Sequence, residues 1–218
     1  MNTEVKIKWA FLCSGYGNSA QACLDLQEAG RLGQHQIAAL VTDGQQTPLE
    51  ARCREMGITV FNTSARAFPS IEAYQQDLIG KLQALEVDYV FMLAYKYRIR
   101  DAMLQAFPNR ILNVHPSLLP AFRNTSKAIQ EALDMGVRVS GITTHIIDAE
   151  IDRGVILCQE PIRLEPGDTV ESVYPRFLQT GKKILCDTFR EVANHHIPGR
   201  FLQALAEKSG LLALLLAA

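Results

Sequence analysis

A three-layer α/β domain with a mostly parallel central sheet and a Rossmann-like N-terminal half is the architecture this chain implies. Two patterns carry that expectation. Short apolar runs alternate with stretches of helical period from Trp9 to Asn113, as in a chain of β–α–β units. The first run also ends in a glycine loop, Ser14-Gly15-Tyr16-Gly17-Asn18-Ser19, that opens directly onto a helical stretch.

In order, the expected elements begin with a strand at Trp9–Cys13 and a helix from Ala20 to Ala29. A strand at Gln36–Val41 and a helix from Thr47 to Met56 follow, the latter with Pro48 in its first turn. Ile58–Phe61 reads as strand, and Ser70–Leu85 as helix with apolar residues at Ile71, Tyr74, Leu78, Ile79 and Leu82. Val87–Leu93 has the continuous apolar character of a strand buried on both faces. Ala128–Met135 reads as a helix stopped by Gly136. Ser140–Ile147 and Val155–Ile162 are expected strands flanking the loop Asp148–Gly154. Gly167-Asp168-Thr169 precedes a long helix from about Val170 to Asn194. His195 and His196 are expected to end that helix in solvent, and Leu211–Ala218 to be a packed or frayed end, too short to span a bilayer.

Composition narrows the function. A chain of 218 residues, 48% of them hydrophobic, suits a single domain, with a Rossmann-like half over 1–112, a second half over 113–200 and a tail from 201. A formal net charge of -1 lacks the basic excess of a nucleic-acid binder and favours a small-molecule partner. Five cysteines without Cys-x-x-Cys spacing argue against a disulfide framework and against a zinc site. The charged start of the chain does not resemble a signal peptide, so a cytoplasmic protein with no membrane association is expected.

The chemistry concentrates in Asn113-Val114-His115-Pro116-Ser117-Leu118-Leu119-Pro120, behind the apolar lead-in Ile111-Leu112. On an extended strand Asn113 and His115 share a face, and the two prolines stiffen the exit. Both then point at one ligand, and a stiff exit suits a site that must hold reacting atoms in place. Read as a turn, the same residues would only satisfy backbone groups.

Asn113-x-His115-Pro116-Ser117-Leu118-Leu119-Pro120, followed by His145 and then Asp152-Arg153-Gly154, resembles the folate-dependent formyltransferases. Order and spacing match from Asn113 to Asp168, with a looser likeness over nearly the whole chain. The resemblance implies that Asn113, His115 and Asp152 are catalytic, with Asp152 keeping the imidazole oriented and charged. It implies 10-formyltetrahydrofolate as formyl donor, held near Arg98, Ile99 and Asp148, and no metal. It also implies an amine acceptor whose phosphate rests on Gly15, Tyr16, Gly17, Asn18 and Ser19. Chain length and this loop look most like the purine-pathway branch, which formylates glycinamide ribonucleotide. Another amine, such as an amino sugar nucleotide, and hydrolysis of the formylfolate are the alternatives, in a monomer or homodimer. His145 is expected to be structural.

Four departures from the family pattern stand out. Asn18-Ser19 reverses the usual Ser-Asn, and Tyr95-Lys96-Tyr97 replaces the branch's Gly-Phe-Met. Asn124 stands where most members have Gly, and Asn tolerates the same positive φ. Gly181-Lys182 falls where the branch carries a Glu that meets the acceptor amine. A rival reading remains: Gly15-x-Gly17-x-x-Ala20, with Asp43 closing the next run, also satisfies the dinucleotide fingerprint of an oxidoreductase.

Overall fold

The computed structural model describes residues 6–44 and 47–195. Seven strands form one sheet in the order β3-β2-β1-β4-β5-β6-β7. They are β1 (Ile7–Cys13), β2 (His35–Thr42), β3 (Thr59–Asn62), β4 (Tyr89–Leu93), β5 (Ile111–His115), β6 (Val139–Ile146) and β7 (Ile156–Arg163). The first five are mutually parallel, whereas β6 runs antiparallel to β5, and β7 antiparallel to β6.

Alternation along β1 explains the layers. Trp9, Phe11 and Cys13 pack into a core under α1 (Asn18–Glu28), α2 (Pro48–Glu55) and α6 (Val170–His195). Ala10 and Leu12 face the other way, into a core with α3 (Ile71–Ala84) and α4 (Asp101–Ala106). A third cluster joins α5 (Ala128–Asp134) and α6 to β6 and β7 through Ala132, Ile142, Ile162, Val173 and Phe177. Because both faces of β1 and β4 are covered, neither Trp9–Cys13 nor its register partner Tyr89–Leu93 carries a charged side chain. Each large side chain buried in this way contributes about 1.5–3 kcal/mol.

Local signals set the helix ends. Ser70 caps α3 by accepting from the Ala73 N–H at 3.1 Å, and Thr169 and Ser172 exchange hydrogen bonds at the start of α6. The expected helix from Ala20 begins two residues earlier, at Asn18, so Asn18 and Ser19 belong to its first turn rather than to the glycine loop. Helix α4 and a 3-10 turn at Ala65–Ala67 were not expected, since neither is long enough to show a period. The proposed tail at Leu211–Ala218, His196 and the His195 side chain lie outside the described residues. All five cysteines are free, and burial pushes the Cys53 thiol up to about 11. Among the described residues no helix is long and apolar enough to cross a membrane.

Candidate active site

Strand order reverses between β1 and β4, and the crevice at their carboxyl ends is where open α/β sheets bind ligands. The Ser14 N–H donates to the Ala94 carbonyl at 3.0 Å, tying the two strand exits together. One strand over, Ile111 anchors β5 in the α3/α4 core, and alternation carries Asn113 and His115 out on that same face. Across the antiparallel β5–β6 pair, Asn113 lies opposite His145, and His115 opposite Thr143.

Asp152 arrives from the loop between β6 and β7. The Ile146 N–H donates to the Val155 carbonyl at 2.8 Å, and Asp148 Oδ1 accepts from the Glu150 N–H at 2.8 Å, so the loop folds back tightly. Gly154 is required there, since a Cβ would lie 1.8 Å from the Ile146 carbonyl oxygen. Asp152 itself takes a left-handed conformation with φ 55°.

Four side chains and one loop thereby meet. Asp152 Oδ2 accepts from the Asn124 N–H at 2.9 Å and stands 3.6 Å from His115 Nδ1. Asp152 Oδ1 lies 3.7 Å from His145 Nε2. Both carboxylate–imidazole separations are longer than a hydrogen bond. His115 Nε2 lies 2.8 Å from the Phe122 carbonyl, which only accepts, so Nε2 carries a proton and Nδ1 faces Asp152. The Asn113 amide Nδ2 lies 3.2 Å from His145 Nε2. Burial holds the His145 pKa below its ordinary value, with the Asp152 charge opposing. The structure thus brings Asn113, His115 and Asp152 together, and adds His145 to them. His145, expected as a structural histidine, lies within hydrogen-bonding distance of Asn113 and of the Ile146 carbonyl, and the register that sets it against Asn113 is not visible in a single sequence.

The glycine loop has the geometry of an anion site. Gly17 caps α1 at φ 69° with no side-chain hydrogen bond, and the first helical bond runs from the Gln21 N–H to the Gly17 carbonyl at 2.9 Å. The N–H groups of the first turn precede that bond and have no intrahelical acceptor. A Cβ at Gly17 would lie 2.4 Å from Leu49 Cδ2. The Asn18 amide donates to the Tyr174 hydroxyl at 3.3 Å, and Tyr16 is 84% exposed. A cavity of about 650 Å³ opens beside this turn, between α1 and α6, lined by Asn18, Ser19, Tyr95, Lys96, Gly181 and Lys182 among others. Gly15, Tyr16 and Gly17 do not line it, and neither do Asn113, His115 and Asp152. Val114 and Pro116, which flank His115, do.

On the α3 side of β4, Gln75 clasps the next loop. Its amide donates to the Arg98 carbonyl at 2.9 Å, and its carbonyl accepts from the Arg100 N–H at 2.8 Å. Arg98 Nη2 donates to the Ala149 carbonyl at 3.2 Å, linking this loop to the one that carries Asp152. The Ile99 side chain is buried in the core with Tyr74 and Met103, which leaves only its backbone for a ligand. A second cleft of about 350 Å³ is lined by Arg66, Phe68, Lys96, Tyr97, Arg98 and Arg100 among others. Lys96 borders both cavities, reaches the Asp43 carboxylate in an ion pair, and lies 5.1 Å from the Tyr97 ring centre. Asp43 is thereby engaged and its side chain only 5% exposed, which removes the carboxylate that a dinucleotide ribose would need. Among the described residues no group of three or more His, Cys, Asp or Glu is placed to hold a metal ion.

Comparison with known proteins agrees with this geometry. Residues 7–189 match the family model described as formyl transferase. A phosphoribosylglycinamide formyltransferase of Bacillus subtilis (strain 168) is 34% identical over 170 residues, covering 78% of this chain and 86% of that protein. One from Mycobacterium tuberculosis (strain ATCC 25618 / H37Rv) is 30% identical over 188 residues, covering 85% of each. The crystal structure of glycinamide ribonucleotide transformylase 1 from Symbiobacterium toebii superposes with a TM-score of 0.82 at 37% identity, covering 89% of this chain and 92% of that one. With its match running from β1 into α6, the chain belongs to the formyl transferase family.

Proposed function

We propose that this protein transfers a formyl group from 10-formyltetrahydrofolate to the primary amine of glycinamide ribonucleotide, a step of purine biosynthesis. The convergence of Asn113, His115 and Asp152 from β5 and the β6–β7 loop carries the reading. The amine attacks the formyl carbon, and the Asn113 amide donates to the oxyanion that develops, a contact worth roughly 3–4 kcal/mol in acyl transfer. The amine loses a proton and the folate nitrogen must gain one as it leaves. With His115 Nε2 committed to the Phe122 carbonyl, Nδ1 and Asp152 are the pair left to move that proton, across a gap that closes in the reacting complex.

The ligands divide between the two cavities. The arginines around the Arg98 cleft suit the glutamate carboxylates of a folate, with the pteridine held by backbone groups between Arg98 and the Asp148–Asp152 loop. The cavity between α1 and α6 suits the acceptor, its phosphate on the uncapped first turn at Asn18 and Ser19. One observation favours a second reading for the acceptor alone: Gly181 and Lys182 line this cavity, and an amine there meets a cation and no carboxylate from that helix turn. Another phosphorylated amine, such as an amino sugar nucleotide, is that second reading. Mixing the purified protein with 10-formyltetrahydrofolate and each amine in turn, and following tetrahydrofolate release, tests both. Release without any amine would point instead to hydrolysis.

A further inference from the structure

We propose that His145 is a positioning residue, whose buried imidazole fixes the Asn113 amide so that one N–H stays directed at the reacting formyl group. The inference rests on the reading of Asn113 as the oxyanion donor. Asn113 Nδ2 can only donate, so its 3.2 Å contact with His145 Nε2 requires that nitrogen to accept. The proton of the neutral ring then sits on Nδ1, 3.3 Å from the Ile146 carbonyl, which can only accept.

A chain of constraint follows. The Ile146 carbonyl selects the Nδ1–H tautomer of His145, and that tautomer presents a lone pair at Nε2 to Asn113. Flipping the amide would set its Oδ1 against that lone pair, acceptor to acceptor. His145 is fully buried, so no bulk water stands ready to substitute for either partner. Asp152 Oδ1, itself an acceptor, is 3.7 Å away, beyond hydrogen-bonding range, and so does not hold a proton on Nε2. The amide has two N–H groups: His145 takes one and the second remains for catalysis. The Asn113–His145 cross-strand register places this support on a rigid neighbouring strand rather than a loop.

The test compares Asn113→Ala, His145→Phe, His145→Gln and the Asn113→Ala/His145→Phe double variant in steady-state formyl transfer to glycinamide ribonucleotide. His145→Phe is expected to lower kcat about tenfold while leaving both KM values within about twofold, since only a transition-state contact is misaligned. His145→Gln, which can place an amide oxygen near the lost Nε2, is expected to recover most of that loss. The double variant should be no slower than Asn113→Ala, because His145 acts only through Asn113. Losses that multiply, a Gln variant no better than Phe, or a change confined to KM would each overturn the assignment. Should His145→Phe fail to fold, His145→Asn, polar but too short to reach, takes its place with the same expectations. Wild-type turnover in Asn113→Ala would instead overturn the oxyanion reading and this inference with it, whereas a slow Asn113→Ala with multiplying losses would sink the His145 role alone.

Discussion

Asn124 donates its backbone N–H to Asp152 Oδ2 at 2.9 Å, and both residues stand in the left-handed region, at φ 60° and 55°. The turn that follows Pro120 therefore holds the same carboxylate oxygen that faces His115 Nδ1. Left-handed backbone costs an ordinary residue about 1–2 kcal/mol, less for Asn and nothing steric for Gly. Asn124→Gly should keep near wild-type turnover, whereas Asn124→Val should lose about tenfold in kcat as the turn relaxes and releases Asp152. Equal turnover in the two variants would show that the carboxylate does not depend on this turn.

The proton-moving pair makes a second expectation. His115→Ala and Asp152→Ala should each cut kcat/KM by about a hundredfold or more with the fold intact by circular dichroism, and the double variant should be little worse than either, because the two act as one unit. Since Nε2 of His115 is held by a carbonyl and Nδ1 faces the carboxylate, Asp152→Asn should be nearly as damaging as Asp152→Ala. A fast Asp152→Asn enzyme would remove proton transfer from the role of this residue.

Stability should also report on His145. Burial keeps its folded pKa below its ordinary value of 6.5, so between the two values the unfolded chain binds the extra proton. The contribution of this residue is then complete above about pH 6.5 and is lost as pH falls through the window toward its folded pKa. Urea unfolding from pH 7.5 downward should show wild-type stability falling faster than that of His145→Gln, which has no group to titrate. Parallel curves would mean that His145 is not held neutral by burial.

Much of this was readable from residue order alone. Apolar runs with no polar interruption, such as Phe91-Met92-Leu93, announce strands covered on both faces, and Asn113 and His115 two apart announce a shared face. Asn124 was expected to keep a positive φ in place of Gly, and it does. What stayed hidden depended on partners distant in sequence. Ile99 was expected beside the donor through backbone groups, and α3 and α4 bury its side chain, a packing that no local pattern shows. Of the five glycine-loop residues, Asn18 and Ser19 line the cavity between α1 and α6, and helix α1 begins earlier than its apolar period suggests. The Lys96–Asp43 pair, which closes off the dinucleotide reading, joins the ends of β2 and β4 across a sheet order that no local pattern encodes.

Gly181 offers the sharpest test of the acceptor. It lies within α6, lines the cavity beside Lys182, and a Cβ there would meet only Ile142 Cδ1 at 3.8 Å, an ordinary contact. A Cβ at this position therefore fits without moving the backbone. Replacing a helical Gly with Glu also recovers backbone entropy, so Gly181→Glu should unfold at a temperature equal to or above that of the wild type. If the acceptor is glycinamide ribonucleotide and its amine lacks a carboxylate partner, Gly181→Glu should add a charge-assisted hydrogen bond of about 1.5–3 kcal/mol, raising kcat/KM for that amine about tenfold or more. An acceptor that uses Lys182 through an anionic group would respond in the opposite sense, losing efficiency in Gly181→Glu through repulsion and in Lys182→Ala through loss of the cation. The two outcomes separate in one experiment, specificity constants for glycinamide ribonucleotide and for an amino sugar nucleotide across wild type, Gly181→Glu and Lys182→Ala. A gain for the ribonucleotide in Gly181→Glu identifies what this chain has given up. A wild type that already uses the ribonucleotide at high efficiency, and loses it when Glu is introduced, means that the amine is met by groups elsewhere in the cavity and that Gly181 is there to make room.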